Sequence, residues 1–237
     1  MKIIEKFKKK SLDLKGAAPV TIAFLGDSVT QGCFDMYMPK PNEPDTYFDA
    51  ENAYHSKVRR IFNMLYPQVP VNIINAGISG GCAAEGLARL ERDVLKFSPD
   101  LCVVCFGLND SNSKTIEEYT DSMRAIFDAL QENGTEVIHM TPNMMCTYMV
   151  FPEGHPFRAI TQTCLDTQMS GTLERFLEAA KQIAEEKNIP ICDCYAKWKT
   201  MAEGGVNTTA LLANKINHPI EDLYCLFAYS VVETMFN

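Results

Sequence analysis

Short apolar runs alternate with longer amphipathic stretches along this chain. The runs are continuously apolar, which is typical of strands covered on both faces of a sheet. They predict five strands, at Val20–Leu25, Val71–Ala76, Leu101–Phe106, Glu136–Thr141 and Ile189–Cys194. Apolar residues at helical spacing predict helices over Glu51–Tyr66, Cys82–Phe97, Thr115–Glu132 and roughly Asp166–Lys187, with a last helix after Pro219.

Strand–helix alternation of this kind predicts parallel strands joined by right-handed crossovers. We therefore expect an α/β fold, a three-layer α/β/α sandwich around a five-stranded parallel sheet. No linker-like stretch divides the 237 residues, so residues 1–237 are expected to form one domain. Residues 1–18 form an N-terminal extension in which Ile3, Ile4 and Phe7 line one face of a short helix. That face could dock on the protein's own core or lie on a membrane surface.

Two inserts fit neither a helix nor a strand pattern. They are Cys33–Ala50, with Tyr37, Tyr47 and Phe48, and the methionine-rich segment Asn143–Leu165. Both follow strand ends, so both are expected to overhang the face of the sheet where a site would lie. Loops of this length are usually functional or disordered. Their aromatic and methionine content favours covering a substrate, and packing onto the core is the alternative.

Composition narrows the class of protein. The net charge of −8 argues against nucleic-acid binding, which needs clustered Lys and Arg, and no apolar stretch approaches membrane-spanning length. Nine cysteines without metal-ligand spacing indicate reduced, buried thiols of a cytoplasmic protein. No metal and no cofactor is expected, and no phosphate-binding loop follows any predicted strand.

The segment Gly26-Asp27-Ser28-Val29-Thr30-Gln31-Gly32 follows the first predicted strand. It places a small hydroxyl at the carboxyl end of a core strand, where open α/β sheets carry their ligands. Taken alone, Ser28 could be reactive, or Ser28 or Thr30 could cap the next helix. Three further blocks follow later in the chain: Asn75-Ala76-Gly77-Ile78-Ser79-Gly80-Gly81, Gly107-Leu108-Asn109-Asp110 and Asn217-His218-Pro219.

In order, spacing and strand context these four blocks resemble those of the SGNH hydrolases, the GDSL-type lipases and esterases. The resemblance runs from about Val20 to the end of the chain and implies the flavodoxin-like SGNH fold. It implies that Ser28 is the nucleophile and His218 the base. The oxyanion hole would combine the backbone N–H groups of Ser28 and Gly80 with the side-chain amide of Asn109. Such an arrangement supplies what acyl transfer requires, an activated nucleophile and donors aimed at the developing oxyanion.

Two carboxyl groups in these blocks are expected to hold turns by accepting backbone N–H bonds, and not to react. They belong to Asp27 and Asp110. Of the other histidines, His139 is expected to be a core residue with satisfied hydrogen bonds. His155 could touch substrate or lie on a surface loop.

One position departs from the family pattern. Members commonly carry an Asp three residues before the histidine, and here that residue is Lys215. The Nδ1–H of His218 is then expected to find a backbone carbonyl or the side-chain oxygen of Asn214 or Asn217. The remoter candidates are Asp193, Glu203 and Asp222.

Two rival interpretations stay open. Gly77-Ile78-Ser79-Gly80-Gly81 also matches the nucleophile elbow of α/β-hydrolases, with Ser79 as nucleophile, although only one strand precedes it. A non-catalytic ligand-binding module on the same scaffold would explain Lys215 differently.

The function that the sequence favours is a serine esterase that hydrolyses carboxylic esters through a Ser–His acyl-enzyme. Its substrate is a small-molecule or carbohydrate ester, and the aromatic residues of the first insert suggest deacetylation of a sugar. A lysophospholipase or acyl thioesterase of the same fold is the alternative.

Overall fold

The computed structural model describes residues 1–40 and 43–237. In chain order its strands are β1 (Val20–Gly26), β2 (Cys33–Lys40), β3 (Glu43–Phe48), β4 (Val71–Gly77), β5 (Leu101–Cys105), β6 (Glu136–Thr141) and β7 (Ile191–Asp193). Five of them form a parallel sheet in the order β4-β1-β5-β6-β7, and β2 and β3 form a separate antiparallel pair. The predicted five-stranded parallel sheet is confirmed.

The helices occupy both faces of this sheet. They are α1 (Lys2–Leu12), α2 (Ser28–Gln31), α3 (Tyr54–Leu65), α4 (Ala83–Asp93), α5 (Asp110–Ser113), α6 (Ile116–Glu132), α7 (Arg158–Met169), α8 (Thr172–Glu186), α9 (Cys194–Glu203) and α10 (Tyr224–Phe236). Short 3₁₀ turns lie at Leu95–Phe97, Thr208–Leu211 and Glu221–Leu223. One apolar core packs α1, α3 and α10 against the sheet, and a second packs α4, α6 and α8 against its other face. The three-layer α/β/α architecture therefore follows the prediction.

The N-terminal extension docks on the protein's own core. Ile3 and Phe7 of α1 are buried, and the Phe7 ring stacks on Phe62 of α3 with centroids 4.2 Å apart. Of the helices formed by the described residues, none combines the length and apolar character needed to span a membrane. All nine cysteines are free thiols, and each is buried except the half-buried Cys225.

Several predictions about single elements are wrong. The insert Cys33–Ala50 was expected to be neither helix nor strand, but residues 33–40 and 43–48 form the paired strands β2 and β3, the β2–β3 hairpin; positions 41 and 42 lie outside the described residues. The second insert, Asn143–Leu165, is also partly regular, because α7 begins within it at Arg158. The predicted helix at 166–187 is two helices, because Gly171 takes a left-handed conformation (φ 72°) between α7 and α8. The last strand ends early because the Asp193 side chain accepts the N–H of Ala196 and caps α9.

Candidate active site

Ser28 lies at the carboxyl end of β1, in the turn that leads into α2. Asp27 is the N-cap residue of α2, and its carboxylate accepts the N–H of Val29 at 2.9 Å. The helix ends after one turn, because Gly32 has a left-handed backbone (φ 97°). This short helix holds Ser28 at the edge of the sheet, where it is only 4% exposed.

The structure brings Ser28 and His218 into direct contact. Ser28 Oγ lies 2.8 Å from His218 Nε2, although 190 positions separate the two residues. Burial lowers the pKa of the His218 imidazole to about 4, so the ring is neutral at neutral pH. A neutral ring whose Nε2 carries a lone pair can accept the Ser28 proton.

A compact loop fixes the backbone of His218. Asn214 Oδ1 accepts the N–H groups of Ile216, Asn217 and His218 at 2.9–3.0 Å. Asn214 Nδ2 donates to Asn217 Oδ1 at 2.9 Å. Both side-chain oxygens are therefore engaged within the loop, and the prediction that one of them accepts the His218 Nδ1–H is wrong.

Lys215 does not take the place of the missing acid. It has a left-handed backbone (φ 59°), and its ammonium donates to the carbonyl of Ala210 at 2.8 Å. The Asp193 carboxylate accepts hydrogen bonds from the Thr141 hydroxyl, the Lys181 ammonium and the N–H of Ala196 in the first turn of α9. Glu203 and Asp222 are exposed, and within the described residues none of these three carboxyl groups bonds to His218.

The hydrogen-bond partner of His218 Nδ1 is Cys33, a residue that was not predicted to belong to the site. Cys33 Sγ lies 3.3 Å from His218 Nδ1, and both side chains are buried. Cys33 directly follows the Gly32 that ends α2, so its proximity to the Ser28 block was the one available signal. The Tyr224 hydroxyl donates to the Cys33 carbonyl at 3.1 Å and fixes that backbone from α10.

The turns after β4 and β5 meet each other. Gly80 has a left-handed backbone (φ 77°), and a Cβ added there would point into open space. The Asn109 side-chain amide donates to the Gly81 carbonyl at 3.1 Å. Asp110 accepts the N–H groups of Ala83 at 2.8 Å and Gly107 at 3.1 Å, so it joins the same two turns. Asp27 and Asp110 thus hold turns, as predicted.

The Gly80 turn is also tied to α2. Gln31 Oε1 accepts the N–H of Ser79 at 2.6 Å, and Asn75 Nδ2 donates to the Gln31 carbonyl at 3.1 Å. Ser79 itself is exposed, and in the described part of the chain its hydroxyl bonds to no histidine. The geometry therefore pairs a histidine with Ser28 and not with Ser79.

The two remaining histidines of the prediction differ in their surroundings. His139 is a fully buried core residue, and its ring makes an edge contact with Phe127. Its hydrogen bonds were expected to be satisfied, but among the described residues neither ring nitrogen has a geometric partner. His155 is half-buried and stacks on Phe151 with ring centroids 4.3 Å apart.

A cavity of about 340 Å³ adjoins the His218 loop. Its walls come from the β2–β3 hairpin, the second insert and the loop itself; they include Asp35, Tyr37, Phe151, His155, Asn214 and Lys215. Both predicted inserts therefore contribute to one cavity beside the His218 loop, which lines it through Ala213, Asn214 and Lys215. Within residues 1–40 and 43–237, no group of three or more His, Cys, Asp or Glu side chains is placed to hold a metal ion.

A buried Ser–His pair at the carboxyl edge of a five-stranded parallel sheet, beside glycine-rich and Asn-containing turns, suits acyl transfer to a serine nucleophile. The profile of the GDSL-like Lipase/Acylhydrolase family matches residues 24–224. The chain belongs to this family and is a carboxylic ester hydrolase.

Individual relatives share both the sequence pattern and the fold. The chain is 25% identical to an acetylxylan esterase of Geobacillus stearothermophilus over 186 residues, which cover 74% of this chain and 76% of that protein. The crystal structure of Axe2, an acetylxylan esterase of the same organism, matches with a TM-score of 0.67 at 24% identity, covering 91% of this chain and 94% of that one. A two-domain esterase (CEX) active on acetylated mannans matches with a TM-score of 0.64 at 20% identity, over 97% of this chain and 52% of that one.

Proposed function

We propose that this protein is a single-domain serine esterase that removes acetyl groups from carbohydrates, with Ser28 as nucleophile and His218 as base. The observation that carries the proposal is the 2.8 Å contact between Ser28 Oγ and His218 Nε2. Free, largely buried cysteines favour a reducing compartment, and we place the protein in the cytoplasm.

The reaction proceeds by two acyl transfers. Ser28 Oγ attacks the ester carbonyl while His218 Nε2 takes the hydroxyl proton. As the tetrahedral intermediate collapses, the imidazolium returns that proton to the departing sugar oxygen, and an acetyl-Ser28 ester remains. Water then attacks this ester, His218 takes a proton from the water, and the collapse releases acetate and restores the Ser28 hydroxyl.

Three donors would stabilise the oxyanion. The N–H of Ser28 belongs to the first turn of α2, whose amides have no acceptor within the helix. Within the described residues the N–H of Gly80 makes no hydrogen bond. The Asn109 amide uses one hydrogen for the Gly81 carbonyl and keeps a second for a ligand. We assign these three groups to the oxyanion hole.

A sugar is the alcohol part that best fits the cavity beside His218. Tyr37 is 46% exposed at its rim, and the stacked rings of Phe151 and His155 offer a flat surface. The walls combine aromatic and methionine side chains with the polar groups of Asp35 and Lys215, and a sugar ring presents both apolar faces and hydroxyl groups to such a surface. The names of the relatives, an acetylxylan esterase and an esterase active on acetylated mannans, support the same substrate class.

The test compares hydrolysis by the wild type, Ser28→Ala and the matched control Ser79→Ala. The substrates are p-nitrophenyl esters with acyl chains of two to eight carbons and acetylated xylo-oligosaccharides. We expect activity on acetyl esters only, acetate release from the oligosaccharides, and loss of both with Ser28→Ala alone. A fluorophosphonate should label wild type and Ser79→Ala.

Each contrary result identifies a different error. Activity that rises with acyl length, with none on acetylated sugars, would indicate a lysophospholipase or thioesterase. Neither hydrolysis nor labelling in the wild type would indicate a binding module on a hydrolase scaffold.

A further inference from the structure

We propose that Cys33 is the positioning residue of His218, and that its thiol accepts the Nδ1–H where related enzymes use a carboxylate. This assignment rests on the proposed function of Ser28 and His218. It accounts for a sequence in which Lys215 stands at the usual position of the acid, because the group at Nδ1 comes from the start of β2 and not from the His218 loop.

The role of the thiol follows from which ring nitrogen carries the proton. Nε2 faces Ser28 Oγ at 2.8 Å and must be unprotonated to act as a base. The single proton of the neutral ring then resides on Nδ1, where Cys33 Sγ lies at 3.3 Å, within hydrogen-bond distance for sulfur. In the tautomer of His218 that can deprotonate Ser28, Cys33 Sγ is therefore the acceptor of the Nδ1–H.

The thiol acts as an uncharged acceptor. Burial, with the nearby charges of Asp27 and Asp35, raises the pKa of Cys33 to about 12, so the sulfur keeps its proton. Cys33 can hold the ring in place but does not offset the positive charge that His218 gains in the transition state. Its loss should therefore cost less than the ~10⁴-fold drop seen when a serine protease loses its orienting Asp.

Backbone contacts fix the thiol at this position. Cys33 is the first residue of β2 and pairs with Phe48 of β3. The Gly32 carbonyl accepts the N–H of Asp49 at 2.8 Å, and the Tyr224 hydroxyl holds the Cys33 carbonyl. The hairpin that walls the cavity thus also positions the group behind His218.

The experiment compares Cys33→Ala and Cys33→Ser with the matched control Cys102→Ala, which removes another fully buried strand thiol from the opposite core. The measurements are kcat and KM on an acetyl ester, and ¹⁵N chemical shifts that report the tautomer of His218. We expect kcat to fall roughly 10- to 100-fold in Cys33→Ala with KM unchanged, and its His218 to lose the pure Nδ1–H form. Cys33→Ser should recover most of kcat, because its hydroxyl also accepts a hydrogen bond.

Several outcomes overturn the proposal. Wild-type kcat in Cys33→Ala would do so, as would equal losses in Cys33→Ala and Cys102→Ala, which indicate a packing defect. If circular dichroism shows that Cys33→Ala is unfolded, a folded Cys33→Ser that keeps the Nδ1–H form of His218 but has kcat no better than one-hundredth of wild type would also count against it, because the loss would not act through the ring. A wild type that neither hydrolyses esters nor reacts with fluorophosphonate would instead reject the proposed function itself.

Discussion

At the scale of single residues, burial acts on the ionisable groups near Ser28 in opposite directions. It raises the pKa of Asp27 to about 7 and that of Asp110 to about 6, and it lowers the pKa of His218 to about 4. In each case burial stabilises the uncharged form relative to the charged form, because a poorly solvated site disfavours charge. A neutral His218 serves the chemistry, whereas the two carboxyl groups carry a cost in stability.

Because of that cost, the free energy of unfolding of the wild type should depend on pH in a way that Asp27→Asn removes. Because the pKa of Asp27 is 3.8 in the unfolded reference and about 7 in the fold, the folded state binds more protons in between. The contribution of Asp27 to the free energy of unfolding is therefore fully present below pH 3.8 and is lost as the pH rises through about 7. Asp27→Asn keeps a side-chain oxygen for Val29 but removes this loss, which is on the order of 4 kcal/mol for a pKa that shifts from 3.8 to about 7.

Urea unfolding of both proteins across this pH range checks the prediction. His55, His139 and His218, whose pKa values are each lowered to about 4, give stability that grows with pH, and they do so equally in both proteins. The difference between wild type and variant isolates Asp27. A difference that does not change with pH would contradict the prediction.

Asn109→Ala tests the assignment of the oxyanion hole. Removing one such donor costs about 10²–10³ in kcat with little change in KM, since the donor acts on charge that develops in the transition state. Asn112→Ala, one turn further along α5, is the matched control; its side chain contacts Cys164 and Thr167. Steady-state kinetics that give equal losses for the two variants would reject the role of Asn109.

The sequence predicted the pairing of Ser28 and His218 through the four blocks, but not the surroundings of the histidine. The Cys33 contact depends on the direction in which β2 leaves Gly32, and that direction is set by pairing with β3 and by Tyr224 of α10. Asn214 was predicted as a partner of the ring, and its oxygen instead folds the loop. The Cys33 contact and the orientation of Asn214 both depend on packing between segments that are distant in the chain, and local sequence patterns contain no information on such packing.

At the scale of elements, local signals predicted what local interactions determine. The helix predicted from Thr115 begins there, with a capping box in which Glu118 N–H donates to Thr115 Oγ1 and Thr115 N–H donates to the Glu118 carboxylate. The β2–β3 hairpin escaped prediction because its strands contain Pro39 and Pro44, and proline is tolerated in strands only at edges. Strands of this kind form because they pair with each other, and their own residue patterns do not predict them.

The hairpin gives a prediction about substrate binding. Tyr37 lines the cavity beside His218, whereas Tyr47, on the paired strand β3, is exposed and does not line it. Tyr37→Ala should raise KM for acetylated xylo-oligosaccharides about fivefold, the loss of one aromatic contact of roughly 1 kcal/mol, and leave KM for p-nitrophenyl acetate unchanged. Tyr47→Ala is the control. Kinetics in which both variants weaken sugar binding equally would argue against a sugar in this cavity.

At the scale of the whole molecule, the site depends on both faces of the sheet. The loop of His218 leads into α10 on one face, through the short turn at Glu221–Leu223, and Asn109 leads into α5 and α6 toward the other. Ser28 stands between them at the end of β1, the neighbour of β4 and β5 in the sheet. Catalysis should therefore require the complete sandwich and not a local part of it.

Phe7→Ala tests whether the N-terminal extension belongs to that same unit. The Phe7 ring is fully buried and stacks against Phe62 and Tyr66, so its removal should destabilise the protein by about 3–5 kcal/mol. If residues 1–237 fold as one domain, calorimetry should give a single transition at a lower Tm, and esterase activity should disappear in that same transition. Leu12→Ala, at a position in α1 that is 82% exposed, should leave Tm unchanged. A separate early transition in Phe7→Ala, with activity retained beyond it, would mean that α1 unfolds independently of the catalytic domain.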